Sequence, residues 1–209
     1  MNVICLIGDI VGSRTASDRS ALQRRLKQAL EQANKRSASH LLSPGTITLG
    51  DEYQAVYKDA GALFVDLWSV LRQMHPQRIR FSIGIGALDT PLNREQAIGM
   101  DGPAFHVARR NMEGPLKRSG LVFQVARAEG STPEWINASL ALMSSQIGSW
   151  KPIRHLIFER HLQRTDVKRI ATEAHITTTA VYKNIRSGGL DAMRDLVGEI
   201  AAWMDEQIP

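Results

Sequence analysis

The stretch LIGDIVGSRT, Leu6–Thr15, places a carboxylate at the end of an apolar run. Val3–Ile7 is short and rich in branched apolar side chains, which predicts a buried strand that ends at Gly8. Asp9 follows that strand, and a glycine-containing turn comes next. Such a turn, leading into a helix, presents backbone N–H groups that can hold a phosphate. The predicted phosphate-binding residues in this turn are Val11, Gly12 and Ser13.

The elements predicted around this stretch follow the order β-α-β-β-α-β, then a helix and a strand. Apolar periodicity predicts the helices, and short alternating or branched runs predict the strands. Asp18 is the expected N-cap of the first helix, SASHLLSPG is predicted as a loop, and the glycines of RIRFSIGIGA indicate a close approach to the backbone. This order predicts an α+β, ferredoxin-like antiparallel sheet with helices on one face. The predicted ranges are Asp18–Asn34, Thr46–Leu49, Ala55–Tyr57, Ala60–Met74, Arg78–Ala87, Pro103–Met112 and Leu121–Ala126.

A second acidic turn appears in TITLGDEYQAVY, Thr46–Tyr57. Asp51 lies at the predicted hairpin turn, and antiparallel pairing can bring it to the same sheet edge as Asp9. Two carboxylates held together repel unless a cation or proton joins them, and Mg²⁺ is bound by one or two carboxylates plus substrate phosphates. We therefore predict a shared Mg²⁺ or Mn²⁺ site, with Glu52 as either a third ligand or a solvated turn residue. The alternative is that both aspartates are ordinary turn residues.

Composition predicts a soluble, globular chain. It has 209 residues, 43% of them hydrophobic and 22% charged, and one cysteine, which excludes a disulfide framework within the chain. No segment resembles a signal peptide or a membrane span, so the expected location is the cytoplasm. The net charge of +5 permits a polyanionic partner.

The character of the sequence changes near Ser149, after which only helices are predicted. We place a domain boundary there, with a palm domain at 1–148 and a small all-α domain at 149–209. Thr165–Gly188 has helix-turn-helix spacing and resembles Xre- or resolvase-like units, with Asp166 and one of Thr177 or Thr178 as N-caps. Between Arg160 and Arg186 there are six Lys or Arg and two acidic residues. These features favour DNA binding over a bundle used for dimer contacts, through Thr178, Thr179, Tyr182, Lys183 and Arg186.

The motifs of the palm resemble those of class III nucleotide cyclases over residues 1–128. LIGDIVGSRT resembles their first metal motif and TITLGDEYQAVY their second. The latter also resembles the Gly-Gly-Asp/Glu-Glu-Phe turn of diguanylate cyclases, beginning at Gly50. RIRFSIGIGA and GPAFHVARRN are similar to a later cyclase strand and helix. The whole chain, with GDIVGSR, LGDEYQ, GMDGPAFHVAR and a helical tail, resembles the SatD family.

The cyclase resemblance implies roles for individual residues. It assigns the metals to Asp9, Asp51 and the Ile10 backbone carbonyl, and transition-state charge neutralisation to Arg110. His106 stands where cyclases have a ribose-orienting asparagine, and Arg109 lies beside the expected phosphate. The polar pair that selects adenine is absent, because Ile47 and Pro103 occupy its positions. Cyclases of this class are dimers with shared sites, so a homodimer is implied. The resulting nucleotide or phosphate contacts are Val11, Gly12, Ser13, Gly50, His106 and Arg109.

The leading functional hypothesis is a DNA-binding regulator whose cyclase-like domain binds a nucleotide or other phosphate ligand with Mg²⁺. The main alternative is an active nucleotidyl cyclase or related phosphoryl-transfer enzyme that uses Asp9 and Asp51 for metal binding and Arg110 for transition-state stabilisation. A third alternative is a protein–protein adaptor in which both sites are vestigial. The sequence leaves enzymatic activity open.

Overall fold

The computed structural model describes residues 1–15, 18–48 and 50–208. The chain forms five strands and nine α-helices over these residues, with a 3₁₀ turn at Ser13–Thr15. Leu49, the predicted end of a strand, lies outside the described residues. No helix in these ranges has the length and apolarity needed to cross a membrane. The strands are β1 Asn2–Ile10, β2 Leu41–Ile47, β3 Glu52–Tyr57, β4 Ile79–Ala87 and β5 Phe123–Arg127. The helices are α1 Arg19–Arg36, α2 Leu63–Met74, α3 Pro103–Glu113, α4 Pro115–Ser119, α5 Glu134–Ile147, α6 Pro152–Leu162, α7 Val167–Ala174, α8 Thr178–Gly188 and α9 Leu190–Asp205.

The five strands form one sheet in the order β2-β3-β1-β4-β5. The first four strands are antiparallel neighbours, and β5 adds in parallel to β4. This order confirms the predicted ferredoxin-like arrangement, with β5 as an addition at one edge. Asp18 caps α1 as predicted, since its Oδ1 accepts a hydrogen bond of 2.8 Å from the N–H of Ala21.

Helices cover both faces of the sheet, which corrects the expectation of helices on one face. Helices α1 and α2 pack on the face that carries the larger apolar cluster. Helix α3 packs on the opposite face against a smaller cluster that includes Val3, Cys5 and Ile7 of β1. Because side chains alternate along a strand, Asp9 belongs to the α3 face.

All five strands differ in their bounds from the sequence prediction, and β1, β2 and β3 each differ by three or more residues at one end. Strand β1 continues through Gly8 to Ile10, because β3 and β4 pair with it on both sides up to Asp9. Strand β2 begins at Leu41 within the segment predicted as a loop, and it contains Pro44 and two irregularities in its pairing. It lies at the sheet edge, where the missing N–H of proline is tolerated.

The C-terminal helices share apolar contacts with the palm. The Trp68 ring of α2 stacks on Phe123 of β5 at a centroid distance of 5.3 Å and packs edge-on against Phe158 of α6 at 4.6 Å. Trp150, at the predicted boundary, lies 6.4 Å from Trp68 between ring centroids. The apolar cluster therefore extends across position 149, and the division into two domains stays a prediction.

Helices α7 and α8 are joined by a tight turn. Asp166 and Thr177 cap them through hydrogen bonds to the N–H groups of Lys168 and Ala180. His175 in the turn has a left-handed conformation with φ of 53°. Tyr182 is 60% exposed on α8.

Candidate functional site

A row of three charged side chains crosses the sheet at the end of β1. Asp9 pairs in register with Arg80 of β4 on one side and with Glu52 of β3 on the other. Opposed residues of antiparallel strands share a face, so all three point toward α3. The order across the sheet is a cation, a carboxylate and a second carboxylate.

Arg80 forms an ion pair with Asp9. Its Nε and Nη2 lie 2.7 Å and 2.6 Å from the same atom, Oδ2 of Asp9. The two side chains are 18% and 17% exposed, so the pair is largely shielded from water. No hydrogen bond from the described residues is directed to Oδ1 of Asp9.

Asp51 lies in the turn beside the end of β1. The N–H of Ile10 donates to the carbonyl oxygen of Asp51 at 3.0 Å, which ties the end of β1 to the acidic turn. The Ser13 hydroxyl donates to Oδ2 of Asp51. Within the described part of the chain, no hydrogen bond reaches Oδ1 of Asp51.

Glu52 is buried and bonded to Arg109 of α3. It is 7% exposed, and its two carboxylate oxygens accept hydrogen bonds from Nη1 and Nη2 of Arg109, the second at 2.9 Å. Thr48 and Gln54 also donate to Oε1 at 3.2 Å. Burial alone raises the pKa of Glu52, but the hydrogen bonds and charge of Arg109 outweigh it and lower this pKa below its usual value.

The pKa of Asp9 shifts in the opposite direction, above its usual value. Burial raises the pKa of Asp9, and the guanidinium of Arg80 only partly offsets this effect. The nearby carboxylates of Asp51 and Glu52 raise the pKa further by repulsion. The three carboxylates of Asp9, Asp51 and Glu52 and the two guanidinium groups of Arg80 and Arg109 carry a net charge of −1 in this corner. This excess negative charge disfavours the ionised form of Asp9.

The turn after β1 offers less to a phosphate than the sequence predicts. The N–H of Val11 already donates to the carbonyl oxygen of Arg78 at 2.9 Å, so it is not available to a ligand. Gly12, with φ of 71°, turns the chain toward Ser13, and its N–H bonds to no other described residue. Gly50 also has a positive φ, of 69°, and its carbonyl oxygen accepts from Gln23 at 3.0 Å.

Two residues of α3 form no described hydrogen bond or ion pair with Asp9, Asp51 or Glu52. Arg110 is exposed, and its side chain forms no hydrogen bond or ion pair with another described residue. His106 is 56% exposed and its Nε2 lies 2.9 Å from Oδ1 of Asp101. Arg109, rather than Arg110, is the α3 arginine that reaches the acidic corner of its own chain.

Glycine in β4 allows α3 to lie close enough for this contact. A Cβ atom added at Gly84 would lie 2.1 Å from the carbonyl oxygen of Ala104 and 3.0 Å from the Cβ of Ala108. The predicted close approach to the glycines of β4 is therefore the docking of α3.

The oxygen atoms of this corner suit a small hard cation. Asp9 and Asp51 each keep one carboxylate oxygen outside the hydrogen bonds described above, and Mg²⁺ needs only one or two carboxylates besides phosphate and water. No group of three or more His, Cys, Asp or Glu in 1–15, 18–48 and 50–208 forms a metal-binding cluster. The residues present fit a site that phosphate and water complete, and not a cage built by the protein alone.

Sequence reasoning missed Arg80. Its signal is present in RIRFSIGIGA, because Arg80, Ser82 and Gly84 alternate with buried Phe81 and Ile83. A charged residue on the face that packs a glycine against a helix is unusual. Its partner could not be found from that segment, since the pairing with Asp9 depends on the register between β1 and β4.

Comparison with protein families identifies the chain. The sequence profile of the SatD family matches residues 3–194. The chain belongs to the SatD family. This confirms the family resemblance found in the sequence, and no curated protein matches this SatD protein in sequence.

Solved structures similar to this SatD protein include nucleotide cyclases. A bacterial light-regulated adenylyl cyclase aligns with a TM-score of 0.45 and 16% identity over 60% of this chain. The SatD chain spans 43% of that cyclase. The dimeric guanylyl cyclase domain of a fusion protein from the fungus Blastocladiella emersonii has a TM-score of 0.42 and 17% identity, covering 54% of this chain and 74% of its own. A guanylate cyclase domain from Catenaria anguillulae, solved with GTP, has the same TM-score and identity and is covered to 72%.

Proposed function

We propose that this SatD protein binds a nucleotide or other phosphate ligand together with Mg²⁺ or Mn²⁺ at the corner formed by Asp9, Asp51 and Glu52. The observation that carries the proposal is that Asp9 and Asp51, from two separate motifs, lie at one sheet edge, with the pKa of Asp9 raised by burial and by its acidic neighbours. A bound cation would relieve that repulsion, because it favours the ionised form of Asp9.

Asp9 and Asp51 would hold the cation through their Oδ1 atoms, beside the Ile10 backbone. The cation supplies positive charge to the phosphate groups of the ligand. The ligand's phosphate would meet the turn after β1 at Gly12, whose N–H has no partner among the described residues, while the buried Ser13 would hold Asp51 in place. Arg80 and Arg109 hold Asp9 and Glu52 in place, and each keeps further N–H groups that match phosphate geometry.

Calorimetry with full-length protein tests this proposal. We expect ATP and GTP to bind only when Mg²⁺ or Mn²⁺ is present, and Asp51→Asn to abolish the metal-dependent heat. Glu199→Gln removes an exposed carboxylate from α9 and serves as the matched control, with binding unchanged. Equal affinity with and without the metal, or an Asp51→Asn variant that binds normally, contradicts the proposal.

The same samples separate binding from catalysis. The alternative is an active nucleotidyl cyclase or related phosphoryl-transfer enzyme, and it gains support from the exposed Arg110, which is free to serve the site of a partner chain. Product analysis after incubation with each NTP decides it. Cyclic nucleotide or pyrophosphate that disappears in Asp51→Asn establishes the enzyme. Intact NTP, together with metal-dependent binding, establishes a sensor.

We further propose that the α7–α8 unit binds DNA and that the protein acts as a homodimeric transcription regulator. The support is geometric: Thr178, Thr179, Tyr182, Lys183 and Arg186 are all exposed along α8. Two of these are cations, which could pair with phosphates, and the hydroxyl groups could bond to bases or phosphates. Dimers of such units read half-sites about one helical turn apart.

Binding to duplex DNA at several salt concentrations tests the α8 surface. The slope of log K against log salt falls by about 0.9 for each phosphate that is no longer neutralised by a side chain, so Lys183→Ala and Arg186→Ala should each reduce it by about one unit. Lys27→Ala, an exposed cation on α1, is the control. Affinity that barely responds to salt or to both α8 variants argues against DNA. Sedimentation of the same protein reports whether it is a dimer.

A further inference from the structure

A cavity separate from the acidic corner lies where the palm meets the C-terminal helices. Its volume is about 290 Å³. The end of α2, the start of β4 and the segment from α5 to α6 surround it. Its apolar wall consists of Leu71, Ile79, Val122 and Ile147. Ligand pockets are typically concave and mostly apolar with a few polar groups, and this cavity lies at the small end of their size range.

The polar part of the wall contains a buried histidine whose hydrogen bonding is incomplete. His155 is 3% exposed and lines the cavity, and its Nδ1 has no hydrogen-bond partner among the described residues. Its ring lies 5.5 Å from that of Trp150, whose Nε1 is buried without a partner in the described part of the chain as well. Buried polar atoms without partners are rare in native proteins, so the unpartnered nitrogen of His155 in the wall indicates that this part of the cavity meets a ligand.

Charge around the cavity is positive or absent. Burial, reinforced by the charges of His75 and Arg72, lowers the pKa of His155 to about 4, so its imidazole is neutral at pH 7. The described lining residues include no Asp or Glu. Arg78 is an exposed residue of the lining, and its Nη2 donates to the carbonyl oxygen of Gly120 at 2.7 Å. The site therefore favours a ligand with one apolar end and one negative end.

We propose that this cavity binds a small aromatic acid with a single ring. The ring would lie between Leu71, Val122 and Ile147, and the carboxylate would pair with Arg78. The flat imidazole of His155 suits the face or edge of a ring. This proposal does not depend on the acidic corner, since the two sites share none of their proposed ligand contacts.

The cavity nevertheless has a structural connection to the acidic corner. The segment His75–Arg78 forms part of its wall. The Gln77 side chain donates to the carbonyl oxygen of Val11, and the carbonyl oxygen of Arg78 accepts from the N–H of Val11. A ligand in the cavity therefore contacts the segment that holds the turn after β1.

Titration of full-length protein with benzoate and with benzamide, its uncharged analogue, tests the proposal. We expect benzoate to bind about tenfold more tightly than benzamide, because only the acid pairs with Arg78. Arg78→Gln should remove that preference, and Ile147→Trp should fill the cavity and abolish both interactions. Lys27→Ala is the control. No benzoate binding to the unchanged protein, or equal affinity for the two compounds, overturns the proposal.

Crystals of the unchanged protein soaked with 4-iodobenzoate provide a test that does not depend on the folding of a variant. An anomalous iodine peak between Leu71, Val122 and Ile147 supports the assignment. A peak at another position, or none at a concentration that saturates binding in solution, overturns it.

Discussion

Substitution of Gly84 by alanine should displace α3 and destabilise the protein. The added Cβ would lie 2.1 Å from the carbonyl oxygen of Ala104, about 1.3 Å short of the 3.4 Å at which ordinary contacts begin. The obstacle is backbone, so rotation of a side chain cannot relieve it. Helix α3 must retreat by roughly 1 Å, and Ala108, whose Cβ would lie 3.0 Å away, must move with it.

The expected cost follows from two opposing terms. Overpacking of a well-packed interface costs about 1–3 kcal/mol, and a rigid backbone obstacle favours the upper end. Replacement of glycine also lowers the conformational entropy of the unfolded chain, which stabilises the folded protein by about 0.4–1 kcal/mol. We expect Gly84→Ala to lower the free energy of unfolding by about 2 kcal/mol, equivalent to a fall in Tm of roughly 4–8 °C for a chain of this size.

Urea denaturation followed by circular dichroism measures this change. The matched control is Gly198→Ala, because no described atom lies within 4 Å of a Cβ added there on the exposed side of α9. Alanine should stabilise that helix by about 0.8 kcal/mol. A Gly84→Ala variant whose unfolding free energy stays within about 0.5 kcal/mol of the unchanged protein would show that α3 does not dock on β4 as described.

Three further predictions concern the charged groups. Asp9→Asn should abolish metal-dependent ligand binding. In the metal-free protein, the raised pKa of Asp9 means that stability falls as the pH rises through this pKa, so the unfolding free energy of Asp9→Asn should depend less on pH; an unchanged pH dependence would contradict this. The pKa of Glu52 is lowered, so ionised Glu52 should contribute fully to stability above the ordinary pKa of 4.5, and this contribution should disappear as the pH falls through the folded pKa. The unfolding free energies of the unchanged protein and of Glu52→Gln should therefore converge at low pH, and a constant difference between them down to about pH 3 would refute the prediction. Glu159 is 1% exposed and pairs with Arg72, so Glu159→Ala should lower the free energy of unfolding in urea by about 3 kcal/mol. Arg169, which is 76% exposed, pairs with Glu173, and Arg169→Ala should lower it by less than about 0.5 kcal/mol; similar losses for the two variants would refute this prediction.

Local signals in the sequence are sufficient to predict most elements. Asp18 and Asp166 are predicted as N-caps, as is one of Thr177 or Thr178, and in the structure Asp18, Asp166 and Thr177 each accept the expected N–H hydrogen bond. A capping bond joins residues two or three positions apart, so its geometry is determined within the segment itself. The predicted boundaries of β1 and β2 are less accurate, because their last or first residues are in strands only through pairing with β3 and β4.

Helix α3 shows why the contact of Arg109 with Glu52 is harder to predict from the sequence than the position of the acidic corner. Arg109 and Arg110 are adjacent, and the resemblance to cyclases assigns the functional role to the second. Neighbouring residues on a helix point about 100° apart, so only one of them can face β3. Which one does so depends on the rotation of the helix about its axis, and the packing of Ala104 and Ala108 against Gly84 of β4 fixes that rotation.

The placement of Arg80 bears directly on the proposed cation. Convergence of Asp9 and Asp51 is predictable, since a strand end and the adjacent hairpin turn meet in this topology. The guanidinium beside Asp9 is set by the β1–β4 register alone. Both of its bonding nitrogen atoms contact Oδ2, so Oδ1 stays available and the carboxylate can bridge an arginine and a metal. Removing Arg80 should therefore weaken the orientation of Asp9 without removing a ligand, whereas removing Asp51 removes one. Substitution of Asp51 should therefore lower the metal affinity more than substitution of Arg80. That difference distinguishes a metal ligand from a residue that only positions one.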